Sequence, residues 1–260
     1  MLVWCRGHRS RKYSHEHRGR RFFIYMRMIN PFLKKKILVV TAHPDDESPL
    51  AAGTIRQIVD SGGEVRLLCA TLGEKGRSHV AEHISHDDLK ELRRDELQEA
   101  ATVLGFSKVH VFQFPDGQLA DSVSEFSAHI IEEVTEYNPE YIFSFGLDGY
   151  TGHYDHVAAH RAAVMAATSE GVGLVCFSLP PEPWRTPCVQ VLQGKRKFGV
   201  YHDSKEYAEP TVIVQVDEQT KLRAIYCHKT QLAGLDPYRI FTAELAQHFL
   251  THEYFSISHA

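Results

Sequence analysis

The residues best suited to chemistry fall in two short runs, His43-Pro44-Asp45-Asp46-Glu47 and His153-Tyr154-Asp155-His156. His43 and Asp46 stand three apart across a tight proline-containing turn. An imidazole and a carboxylate so placed can share one cation, and His156 can supply a second nitrogen. Two histidines and one carboxylate leave a coordination position open for water, which is the donor set of catalytic zinc. Zinc so held lowers the pKa of its water to about 7. A hydrolase also needs a base for that water, and Asp45, adjacent to a ligand, is placed to be one. An acid is available in His153, three residues before His156 at a helix start, with Asp155 able to orient it or keep it charged. Each run has a plainer explanation. Asp45 or Asp46 suits the N-cap of a helix starting near Ser48, and His153, His156 and His160 suit a solvated helix face. His160, four residues after His156 and on the same face, is expected to pack or to support a ligand.

The elements that must carry these runs alternate. Apolar stretches at 36–42, 64–71, 109–114, 141–145 and 174–179 read as strands. Helical patterns at 49–60, 87–104, 123–137 and 154–169 lie between them. Such βαβα order with near-continuous apolar strands implies an α/β fold, a mostly parallel sheet with helices on both faces. Ligands of such sheets bind beyond the carboxyl ends of the strands, at the switch point. Both runs fall at such ends, as do the loops at 72–76 and 115–117. After Leu179 the prolines at 180, 181, 183 and 187 interrupt the pattern. A strand at 211–216, a helix capped by Asp217 and running to about 232, and a last helix near 242–248 follow. These are expected to form a C-terminal α+β extension over the active-site edge.

The run Ala42-His43-Pro44-Asp45-Asp46-Glu47 after a buried strand, with His153-x-Asp155-His156 later in the chain, resembles the LmbE-like/PIG-L family of zinc-dependent N-acetylglucosaminyl deacetylases. Thr71-x-Gly73-Glu74 and Ala224-x-x-x-His228-x-x-Gln231 extend the likeness to residues 36–255. The resemblance implies a Rossmann-like fold and one zinc per chain, with the ligands on His43, Asp46 and His156. It implies a general base on Asp45 and a polarising or acid histidine on His153, supported by Asp155. The implied reaction is hydrolysis of the N-acetyl amide of an N-acetylglucosamine-type substrate, with release of acetate. The chain departs from the family at Tyr154, where many members have proline, and at Thr151, where some have an oxyanion-stabilising tyrosine; Tyr150 is one residue further back. Substrate contacts are expected from Glu74, Arg77, Tyr150 and His228. An amidase acting on a thiol-sugar conjugate would use the same machinery. A phosphoesterase usually wants two metals and more carboxylates. A nucleotide-binding module wants Gly-x-Gly-x-x-Gly after the first strand, where this chain has His43-Pro-Asp-Asp.

Composition sets outer limits. With 260 residues, 43% of them hydrophobic and 24% charged, the chain fits one globular domain rather than a disordered one. It has no apolar run long enough for a membrane span, and Ile37–Val40 is too short for a signal-peptide core. Residues 1–36 hold 11 Lys/Arg against Glu16 alone, while the rest holds 18 against 32 acids. Residues 1–35 are therefore expected to be a basic, disordered extension, with a transit peptide or a nucleic-acid arm as alternatives and Met26 or Met28 as a later start. The acidic body, 36–260, is a poor partner for nucleic acid. Five scattered cysteines without a C-x-x-C pair argue for a reducing, cytoplasmic setting. The expected partner is a small amino sugar, and a homo-oligomer is left open.

Overall fold

The structure is a computed structural model that describes residues 30–80, 83–194, 207 and 209–258. Five strands run parallel: β1 (Lys36–Thr41), β2 (Glu64–Cys69), β3 (Lys108–Val111), β4 (Tyr141–Phe145) and β5 (Gly173–Phe177). Between them lie α1 (Glu47–Asp60), α2 (His86–Leu104), α3 (Val123–Tyr137) and α4 (Tyr154–Glu170). The sheet order β3-β2-β1-β4-β5-β7-β6 puts the reversal of winding between β1 and β4. Right-handed crossovers then send the helices to opposite faces. Accordingly α3 packs on α4, and α1 packs on α2. The expected parallel α/β core is present.

The C-terminal third differs from the sequence reading. It holds α5 (Arg185–Gly194), β6 (Val212–Gln215), α6 (Glu218–Cys227), α7 (Ala243–Thr251) and β7 (His252–Ser258). Strand β7 runs antiparallel to both neighbours and joins β6 to β5. The extension therefore completes the sheet as well as bordering the site. Helix α6 stops at Cys227 rather than near 232, and single turns at Leu232–Leu235 and Pro237–Ile240 follow.

The packed body also starts earlier than residue 36. Phe32 is buried, with its ring 4.8 Å from Phe143 and 5.9 Å from Phe255. Asn30 donates from Nδ2 to Gln57 Oε1 at 3.0 Å. Residues 30–35 thus belong to the domain, and residues 1–29 lie outside the described part. Cys69, Cys176, Cys188 and Cys227 are buried free thiols.

Two local features set the position and length of α4. The inner face of α4 is lined by alanines at 158, 159, 162, 163, 166 and 167, all buried. Small side chains let the helix approach β4 and β1 closely, which brings its N-terminus beside the end of β1. At the other end α4 stops at Gly171, whose φ of +66° suits glycine.

Candidate active site

The end of β1 turns sharply. Asp45 has φ of +114°, a value that L-residues rarely adopt. The turn sends the two neighbouring carboxylates to different tasks. Asp46 is the residue before α1, yet its side chain makes no capping bond. Its Oδ2 accepts from the amides of Ala42 (3.2 Å) and His43 (2.8 Å), and lies 3.6 Å from His43 Nδ1. Its Oδ1 lies 3.2 Å from His156 Nε2. The helix-cap explanation therefore fails for Asp46. Asp45 faces the pocket, and its Oδ2 lies 3.2 Å from Arg93 Nη2.

Both imidazoles beside Asp46 are fixed from behind. His43 Nε2 faces Asp155 Oδ2 at 3.2 Å and Asp116 Oδ1 at 3.3 Å. His156 Nδ1 donates to the carbonyl of Gly149 at 3.0 Å, and its ring stacks on Phe145, with centroids 4.0 Å apart. Histidines that bind metal characteristically give their second nitrogen to a carboxylate or a carbonyl in this way. His43 Nδ1, Asp46 and His156 Nε2 can therefore hold one cation. His43, His153 and His156 also bring nitrogens within 4.8 Å of one another, and His43, Asp116 and Asp155 form a second such group. The first set is the better fit, because Nδ1 of His153 already accepts the Asp155 amide at 3.2 Å. In the second set Asp155 is already bonded to the amides of Gly117 (2.6 Å) and Leu119 (3.1 Å).

The electrostatics favour a cation. Burial alone would lower the pKa of His43, but the carboxylates of Asp116, Asp155 and Asp46 outweigh it and hold the imidazole well above its usual range. Burial would raise the pKa of Asp46, yet His156 and His43 hold it well below the carboxylate range. Asp45 differs: burial pushes its pKa up to about 6, Asp46 adds to this, and Arg93 opposes it only in part.

The structure revises the expected roles of Asp155 and His153. The Asp155 carboxylate serves His43, and its link to His153 is through the backbone amide. An Nδ1 that accepts a hydrogen bond carries no proton, so His153 is neutral with its proton on Nε2. Burial, then the neighbouring His43 and His156, lower its pKa to about 3. The expectation of a charged His153 at neutral pH does not hold in this arrangement. His160 donates from Nδ1 to the Phe145 carbonyl at 2.8 Å.

Among the substrate candidates, Arg77 and Tyr150 line the pocket, which has a volume of about 470 Å³. Glu74 and His228 do not. Glu74 accepts the Asp116 amide at 3.1 Å and so holds that loop. His228 is fully buried and bonded to Glu47. Asp116 and Arg93, which were not singled out from the sequence, lie at the same place, as does Glu47, the last residue of the first run. Asp116 faces His43, and Arg93 and Glu47 support Asp45. Arg93 is buried against Gly73 and Gly76, donating to the Gly73 carbonyl at 2.7 Å and to that of Pro44. A Cβ at Gly73 would lie 2.2 Å from its guanidinium, which explains the glycine in Thr71-x-Gly73-Glu74. The Pro-Asp116-Gly loop after β3 was the only sequence signal for Asp116.

A mostly parallel α/β sheet, with a buried histidine–carboxylate set able to hold one cation at its switch point and a second carboxylate, paired with Arg93, beside it, defines the class as a Rossmann-like metal-site enzyme. The family follows from the sequence: the chain belongs to PIG-L, described as GlcNAc-PI de-N-acetylase, which matches residues 38–167. It is similar to the 1D-myo-inositol 2-acetamido-2-deoxy-alpha-D-glucopyranoside deacetylase of Streptomyces scabiei, at 29% identity over 85% of this chain and 84% of the relative. It is also similar to the Bacillus cereus protein named "Probable N-acetyl-alpha-D-glucosaminyl L-malate deacetylase 2", at 30% identity over 78% of this chain and 86% of the relative. Among solved structures, N,N'-diacetylchitobiose deacetylase from Pyrococcus horikoshii superposes with a TM-score of 0.65 at 23% identity. That match covers 95% of this chain and 94% of the other, and it bears on the fold. Among the described residues, no helix is long and apolar enough to cross a membrane.

Proposed function

We propose that this chain is a zinc-dependent N-deacetylase that hydrolyses the acetamide of an N-acetylglucosamine-type substrate to acetate and a free amine. The observation that carries the proposal is the division between two adjacent carboxylates. Both line the pocket, but Asp46 lies against two imidazoles, while Asp45, with a pKa near 6, is paired with Arg93. His43, Asp46 and His156 would hold the zinc. Bound there, zinc supplies Lewis acidity that lowers the pKa of a water to about 7 and polarises an acetyl carbonyl.

The chain's own groups do the rest. Asp45 accepts a proton from water as its oxygen bonds to the acetyl carbon. A base with a pKa near the working pH can also return the proton. The C–N bond then breaks, its nitrogen takes that proton, and acetate and amine leave. Arg93 holds the Asp45 carboxylate during the exchange. His153, with its proton on Nε2, donates to the oxygen that becomes negative when water adds. This replaces the cationic acid expected from sequence with a neutral donor. The substrate class rests on the relatives, which are named as deacetylases of N-acetylglucosamine conjugates. Arg77 and Tyr150 are the pocket residues proposed to meet the sugar or its substituent.

The experiment pairs metal analysis with acetate release from N-acetylglucosamine derivatives. Asp45→Asn is expected to keep one zinc per chain and lose turnover, and Asp46→Asn to lose zinc. The reverse pattern would mean that the two roles are exchanged.

A further inference from the structure

Burial rules out substrate contact for His228 and leaves a different task for it. Its Nε2 donates to Glu47 Oε1 at 2.7 Å, and Ser48 Oγ donates to the same oxygen at 2.6 Å. The other oxygen, Oε2, accepts the backbone amide of Asp45 at 3.2 Å. Glu47 and His228 are both fully buried, and His228 Nδ1 has no hydrogen-bond partner among the described residues. A buried ion pair gives up hydration on both partners and is often no more stable than apolar residues of the same volume. An unpaired ring nitrogen adds to that disadvantage. Filling space is thus a poor account of these two residues.

Geometry gives a better one. The amide that Glu47 holds belongs to the residue with φ of +114°. This unusual turn lets Asp45 face the pocket while Asp46 faces the imidazoles. We infer that Glu47 and His228 form a positioning clamp for Asp45. His228, at the end of α6, fixes the Glu47 carboxylate. Glu47, at the start of α1, fixes the backbone that aims Asp45. The adjoining chain fastens the end of α6 to α2 and to the loop after β2: Thr230 bonds through its amide and hydroxyl to Glu96 (2.7 and 2.6 Å), and Gln231 Nε2 donates to the Arg77 carbonyl (2.9 Å). The inference rests on Asp45 being the base.

The test uses the full chain, zinc-loaded, with an N-acetylglucosamine derivative as substrate. Misplacing a reacting group by about 1 Å can cost about 10²-fold in rate. Glu47→Ala is therefore expected to lower kcat by about 10²-fold, with KM and zinc content unchanged and with faster hydrogen exchange at the Asp45 amide. His228→Ala should lower kcat in the same direction, and His228→Gln, whose amide can still donate to Glu47, should restore most of it. If Glu47→Ala does not fold, the two His228 variants decide. A loss of rate reversed by glutamine supports the clamp, and equal rates in the alanine and glutamine variants overturn it. Loss of zinc together with kcat would also overturn it, because the pair would then be holding the ligand turn. A normally active Asp45→Asn would instead defeat the base assignment, whereas an inactive Asp45→Asn beside a fully active Glu47→Ala defeats the clamp alone.

Discussion

Replacing Arg93, a residue only 4% exposed, by methionine would remove a guanidinium that serves three acceptors: the Gly73 carbonyl, the Pro44 carbonyl and Asp45 Oδ2. Methionine fills much of the volume, so the loss is mainly one of charge and hydrogen bonds. Leaving a buried carboxylate without its partner costs about 3–5 kcal/mol. At about 2–4 °C per kcal/mol for a chain of this size, Tm should fall by roughly 6–20 °C. The deficit should also depend on pH. Burial and Asp46 already push the Asp45 pKa up to about 6, and Arg93 opposes them. Without Arg93 the pKa rises further. A carboxyl group whose folded pKa lies above its unfolded value, about 3.9, favours the fold when protonated. The deficit is therefore largest above the raised pKa and shrinks as the pH falls through it. The acid limb of the pH–rate profile should move to higher pH for the same reason. Arg93→Lys keeps the charge but not the planar fork, so it should lose heat stability while shifting the limb less. The assays are thermal melts at pH 5 and pH 8 and initial rates across that range. An unmoved acid limb together with an equal deficit at both pH values would refute the pairing of Arg93 with Asp45.

Asp155→Asn keeps the size of the side chain but weakens the acceptor behind His43, so zinc affinity should drop about 10–100-fold; competition with a chromogenic chelator would measure it, and an unchanged affinity would count against the orienting role. Gly73→Ala places a methyl group 2.2 Å from Arg93 at a φ of +63°. A loss of about 1–3 kcal/mol from the strained backbone, with further loss from displacing Arg93, should appear in denaturant unfolding, and wild-type stability would show that the contact relaxes freely. Phe32→Ala should cost about 3–5 kcal/mol through its ring contacts with Phe143 and Phe255, and a change below 1 kcal/mol would mean that residues 30–35 are not part of the packed body.

The five parallel strands and the helices between them were legible because β1, β4 and β5 are near-continuous apolar runs, β2 and β3 keep an apolar stretch or alternation despite Arg66 and His110, and the intervening helices have clear stops such as Gly105 or Gly171. Strand β7 was not. It places Glu253 inside the protein, where the carboxylate accepts the amides of Gly53 (3.0 Å) and Thr54 (2.8 Å) and lies 3.5 Å from Lys221 Nζ. A buried acid satisfied by groups some 200 positions earlier in the chain hides the apolar periodicity of its strand. Helix α5 was obscured by prolines, although Pro187 sits in its first turn, where no amide is needed. In the site, His43, Asp46 and His156 could be nominated because two runs held suitable donors. Arg93 and Asp116 could not, because each contributes one side chain from a loop or helix whose approach to β1 depends on the finished fold. His228 was noticed but misplaced, since spacing along a helix does not reveal that the chain turns inward at Cys227.

The placement of β7 bears on the order in which the molecule can be made. Among the described residues β6 pairs with β7 alone, and β7 starts at His252, well after β6 ends at Gln215. A growing chain halted at Thr251 would have its five parallel strands but no template for β6, and β5 would be left as an open edge. Such edges invite pairing with other chains. Strand β7, made after β6, is thus the one that joins β6 to the sheet, so a frameshift or proteolytic cut after α7 would release two strands rather than one.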